Sequence, residues 1–123
     1  MSVNSTGHLV FLAVDDIDKA RAFYEELLGL RFIGDEMGTL LFDMDGTALR
    51  ISPLEDFKPQ TFTVLGWNVA DITAETAKLK AAGVEPIRYP GMPFDDDGIA
   101  NLGGLRILWF ADPAGNVLSL TQA

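Results

Sequence analysis

The sequence predicts an α+β fold in which one β-α-β-β-β pattern is used twice, and three observations carry that prediction. Letters repeat along the chain: Val14-Asp15-Asp16-Ile17 returns as Val69-Ala70-Asp71-Ile72. Asp43, Gly46, Leu49 and Ile51 return at the same spacing as Asp112, Gly115, Leu118 and Leu120. Each copy also opens on an apolar, strand-length run followed by a helical pattern, then continues in short β-prone pieces. A repeat of this kind decides the fold before any single element does. With only two copies, the halves must pack on each other or on another subunit.

The first half starts at His8–Val14, an apolar run of strand length. Asp15 and Asp16 supply an N-cap and a favourable charge at the start of a helix. Ile17, Ala20, Phe23 or Tyr24, and Leu27 then fall at helical spacing, and Gly29 stands where a C-cap is expected. Three strands are predicted next, at Leu30–Ile33, Thr39–Met44 and Thr47–Ser52. Asp45-Gly46 between the last two is a hairpin signal, because both central residues of that turn need positive φ. Pro53 and the polar stretch LEDFKPQ end the module and form a linker.

The second half opens with a strand over Phe62–Val69 and an Asp71 cap. Its helix turns Ile72, Thr76 and Leu79 inward and ends at Gly83. Val84–Arg88 reads as a strand, and YPGMPFDDDGIANLGG as a long loop, of a length that is usually functional or mobile. LRILWFA is a strongly apolar strand, DPAG a turn and NVLSLTQ the closing strand. The 123 residues therefore make one domain. Module one spans about 8–53, the linker about 54–61 and module two about 62–122.

Composition narrows the function. The net charge is −9, without the clustered Lys and Arg that tracking phosphates requires, so nucleic acid is not an expected partner. There is no cysteine, which removes disulfides, thiolate catalysis and cysteine metal sites. No apolar run reaches the roughly 18 residues of a membrane span, and MSVNSTGHLV lacks the features of a signal peptide. A cytoplasmic, membrane-free protein is expected. The acidic balance favours a cationic small molecule over an anionic one.

With the repeat in place, the chain resembles the vicinal oxygen chelate superfamily, which holds the glyoxalases, bleomycin resistance proteins and dioxygenases. ARAFYEELLGLRF resembles the first half of that family, and FADPAGNVLSL its closing D-P-x-G-N signature. The resemblance implies two βαβββ modules with curled mixed β-sheets around a central cavity and helices on the outside. It also implies a homodimer. In the family a metal sits on four residues, one from the first and one from the last strand of each half. Those positions fall here on Leu9, Arg50, Val64 and Ser119. Two aliphatic chains, a guanidinium and one hydroxyl make no metal site, so neither a metal nor another cofactor is expected. His8, the only histidine, lies one residue before the family's ligand position. Alternation along the strand turns it to the opposite face.

Strand alternation then gives the ligand-binding candidates Phe11, Arg50, Asn68 and Ser119; Trp109, ten residues before Ser119 on the neighbouring strand, and Phe94 of the long loop join them in a mostly apolar site with a few polar points. Val64, Gly66 and Asn68 share one parity, and Trp67 has the other, towards the helix. The aromatic side chains either offer flat faces to a ring or cation or simply fill the core. Arg50 either clamps a ligand anion or pairs with one of the acidic residues. Asp95, Asp96 and Asp97 lack the alternating spacing of a calcium loop and read as a solvated loop. The expected function is metal-free capture of a small aromatic or cationic ligand. The alternatives are a metal-dependent lyase, isomerase or dioxygenase with an atypical site, and a dimeric contact domain.

Overall fold

The computed structural model describes residues 2–123 and divides into two compact units, one ending at Lys58 and one beginning at Pro59. Each holds one four-stranded mixed sheet and one helical layer, so the fold is α+β with two βαβββ modules. Among the described residues no helix is long and apolar enough to cross a membrane.

In the first unit β1 (Leu9–Val14), β2 (Arg31–Glu36), β3 (Thr39–Met44) and β4 (Thr47–Pro53) form a sheet of order β1-β4-β3-β2. β1 runs parallel to β4, and the other pairs are antiparallel. Asp45 and Gly46 both have positive φ, as the hairpin signal demanded, and Met37-Gly38 makes a second such turn between β2 and β3. Helix α1 (Ile17–Arg21) is capped by Asp16, whose carboxylate accepts from the backbone N–H groups of Asp18 and Lys19. It then widens into a π-helical turn, Ala22–Leu27, rather than continuing as a regular α-helix. The spacing argument offered Phe23 or Tyr24 to the core, since neighbours in an α-helix point about 100° apart. The wider turn buries both, with their rings 5.1 Å apart and edge-on. Tyr24 in turn meets Phe42 of β3. Against this layer lie Leu12, Leu40, Phe42, Leu49 and Ile51, one face of the sheet.

The second unit has the sheet order β5-β8-β7-β6, from β5 (Thr63–Asn68), β6 (Ala100–Leu102), β7 (Leu105–Ala111) and β8 (Val117–Gln122). Helix α2 (Ile72–Ala81), capped by Asp71, buries Ile72, Thr76 and Leu79. Leu108, Phe110, Leu118 and Leu120 face it.

One element differs from the sequence reading. Val84–Arg88 is not a strand: only Ile87 pairs, in an isolated bridge to Trp109. The edge position is completed by β6, inside what reads as loop, where Ala100 pairs with Ile107. Pro86 and Pro90 explain this, because proline has no N–H to give a ladder. The edge of the sheet is therefore split, and residues 88–99 leave it and return.

Candidate functional site

Each sheet has a face turned away from its helix. In the first unit that face carries Phe11, Arg50 and Leu41, which lie side by side in the register of β1, β4 and β3. Phe11 is 66% exposed and Leu9, two residues before it, 46% exposed. The Arg50 guanidinium donates to Thr39 Oγ1 at 2.9 Å and lies 3.6 Å from a Glu36 carboxylate oxygen. The pairing with an acidic residue is thus what the structure contains. His8 is exposed and precedes β1; its carbonyl accepts from the Ala48 N–H.

In the second unit the corresponding row is Gly66, Ser119 and Trp109. Where the first unit has the large Phe11, this one has no side chain. A Cβ placed on Gly66 would collide with the Ser119 hydroxyl oxygen. Asn68 lies two residues further along β5, beside Thr121 and exposed. Ser119 lies in the middle of the row, and Trp109 is its largest side chain. Its indole N–H donates to Thr63 Oγ1 at 3.0 Å, which fixes the tilt of the ring. The irregularity between Thr63 and Leu65 shifts the pairing there, so Thr63, rather than Val64, reaches Trp109. Trp67 pairs with Leu120 on the helix side, and its indole N–H has no partner among the described residues.

The excursion 88–99 brings two further rings to Trp109. Tyr89 stands 5.3 Å from it at 81° between planes, and Phe94 6.2 Å from it at 74°. Phe94 was a candidate from sequence and Tyr89 was not. Only the fold of the excursion reveals Tyr89, since no strand parity reaches into a loop. The excursion is held by Asp95, whose Oδ1 accepts from the N–H groups of Asp97 and Ile99, each at 2.9 Å. Phe94 pairs with Ala100 as a short antiparallel bridge. Gly98 closes the turn at φ +87°, and a Cβ there would lie 2.6 Å from Pro86 Cβ. Asp97 pairs with Lys80 of α2. The acidic run is thereby part of the scaffold that presents Phe94.

The turn before β8 explains the D-P-x-G-N signature. Asp112 is buried, and its Oδ1 accepts from the N–H groups of Ala114 and Asn116 while Oδ2 accepts from the Asn116 side chain. That clamp sets β8 against β7 and so places Ser119 opposite Trp109.

The four positions that the resemblance assigns to metal ligands do not fit a metal. Leu9 and Val64 have no lone pair, Arg50 is a cation already engaged by Thr39 and Glu36, and Ser119 offers one neutral hydroxyl. Among the described residues no three His, Asp or Glu side chains stand together as a metal site. The geometry offers instead half-buried aromatic faces, a buried hydroxyl and, in the first unit, an accessible guanidinium.

Known proteins agree with the architecture. An antibiotic binding protein from Streptomyces sp. CB03234, TnmS3, is 27% identical over 99% of this chain and 98% of its own, with a TM-score of 0.75. A glyoxalase/bleomycin resistance protein from the same source is 27% identical over 95% of this chain and 100% of its own, with a TM-score of 0.69. The genomically encoded fosfomycin resistance protein FosX from Listeria monocytogenes, at 19% identity, shares the fold with a TM-score of 0.75 over 99% of this chain and 95% of its own. No curated protein matches the chain. The sequence model of one family matches residues 5–120, and the chain belongs to it: the Glyoxalase/Bleomycin resistance protein/Dioxygenase superfamily.

Proposed function

We propose that the chain is a small-molecule-binding protein of this superfamily that captures an aromatic or cationic ligand without a metal. The observation that carries the reading is the Trp109 row of the second unit. A half-buried indole is oriented by Thr63 and flanked by Tyr89 and Phe94, with the Ser119 hydroxyl, seated over Gly66, beside it. Such a mainly apolar surface with a few placed polar groups suits a small ligand better than it suits catalysis. The likeness to an antibiotic binding protein supports capture over turnover. In this reading Asn68 makes a further ligand contact in the second unit, and Phe11 and Arg50 are ligand contacts on the first unit's own sheet face. The exposed apolar residues Leu9 and Phe11 are what a second copy in a cytoplasmic homodimer would help to cover.

A thermal-shift screen in the presence of chelator tests the reading, because a ligand at a hundredfold its Kd adds about 2.7 kcal/mol to the native state. Aromatic or amine-bearing compounds are expected to raise the Tm, and Trp109→Ala to remove the effect. The reading fails if no compound stabilises the protein at millimolar concentration. It also fails if stabilisation requires a divalent metal that His8→Ala abolishes, which is the result expected of the metal-dependent enzyme.

A further inference from the structure

We propose that the corner formed by Trp109, Tyr89 and Phe94 is a cage for an organic ammonium group, an inference that rests on the capture reading above and names the ligand's recognised end. A planar ring is sandwiched between two side chains only where they form roughly parallel plates, each in offset stacking with it. Tyr89 and Phe94 instead stand at 81° and 74° to the indole, so neither makes a slot with it. Walls at right angles suit a rounded group that touches several π-faces at once. A methylated ammonium is such a group, and its charge is drawn to the ring quadrupoles, to tryptophan most of all.

The surroundings favour the same charge. Residues 88–99 carry three carboxylates, Asp95 to Asp97, against Arg88 within the segment and Lys80, which pairs with Asp97. The Arg88 guanidinium is turned to the Asp96 carbonyl at 3.1 Å. Asp95 is spent on the turn, but its charge still stands one residue from Phe94. On β5, Gly66 has no side chain and the Ser119 hydroxyl lies over it, so that hydroxyl is the polar group next to Trp109 in the row.

The experiment compares choline with 3,3-dimethylbutanol, which has the same shape and no charge, by calorimetric titration of the full chain. Both are measured at low salt and in 0.5 M sodium chloride, because general attraction to an acidic surface is screened while contact with the rings persists. Choline is expected to bind about tenfold more tightly than the alcohol at both salt concentrations. Tyr89→Leu is expected to remove most of this preference. Trp109→Phe should retain part of it, which separates loss of the cage from loss of the fold. Equal binding of the two probes overturns the cage, as does a preference that disappears in salt or survives Tyr89→Leu. If neutral or acidic aromatic compounds stabilise the protein through Trp109 while choline does not bind, the cage falls and capture stands. If nothing binds, both fall.

Discussion

Replacing Asp112 by alanine should destabilise the second unit more than any other single change to a charged residue there. The carboxylate accepts from the N–H of Ala114 at 3.0 Å, the N–H of Asn116 at 2.8 Å and the side-chain amide of Asn116 at 2.9 Å. The Ala114 amide lies in a half-buried segment and water can replace its partner. Both Asn116 groups are buried, and each would lose a hydrogen bond to a charged group, worth about 1.5–3 kcal/mol. The expected loss is therefore about 3 kcal/mol, or a fall in Tm of about 12 °C for a chain of this size. Asp112→Asn keeps the shape but sets an amide against the Asn116 amide and removes the charge, so about half that loss is expected. Urea unfolding followed by circular dichroism measures both, with the midpoint moving and the slope unchanged. A loss below about 1 kcal/mol for the alanine variant, or equal losses for the two, would refute the view that this carboxylate clamps the turn.

Gly98→Ala should cost about 2 kcal/mol or more, from an unfavourable positive φ and the approach to Pro86; faster hydrogen exchange at the Ile99 amide would report release of the excursion. Thr76→Val should raise the unfolding midpoint by the equivalent of about 1 kcal/mol, because the Thr76 hydroxyl is buried without a partner; a clear loss of stability would show that the hydroxyl is satisfied. Arg50→Ala should change stability by less than about 1 kcal/mol, since its partner Glu36 is 54% exposed. If anions bind, the same variant should abolish their effect in a thermal-shift assay and leave cations untouched.

What the sequence determined by itself was the duplicated pattern and every strand of it except the edge strand of the second unit. Local chemistry wrote them: Asp16 and Asp71 cap their helices as their positions implied, and Asp45-Gly46 turns the hairpin with positive φ at both residues. Alternation along β1, β4 and β8 likewise identified Phe11, Arg50 and Ser119 as residues of the face turned from the helix, because a period of two is a local property of a strand. The metal-poor character of the four family positions was legible from their identities alone.

Tertiary structure decided the rest. The turn before β8 holds one more residue than its counterpart before β4, as the pairs Ala111↔Val117 and Asp43↔Ala48 show. The repeat therefore matches Leu41 with Phe110 by letter, whereas the sheet matches it with Trp109. The sequence set Trp109 in the outward row by its distance from Ser119, and the hydrogen-bonded register pairs the two. Tertiary structure alone decided Val84–Arg88, where prolines break a ladder that composition suggests, and Tyr89, which no periodic pattern places. It reaches Trp109 because Asp95, Gly98 and the Phe94–Ala100 bridge fold residues 88–99 back on the sheet. Periodicity is written along the chain, but the meeting of a loop with a strand depends on contacts between residues far apart in it.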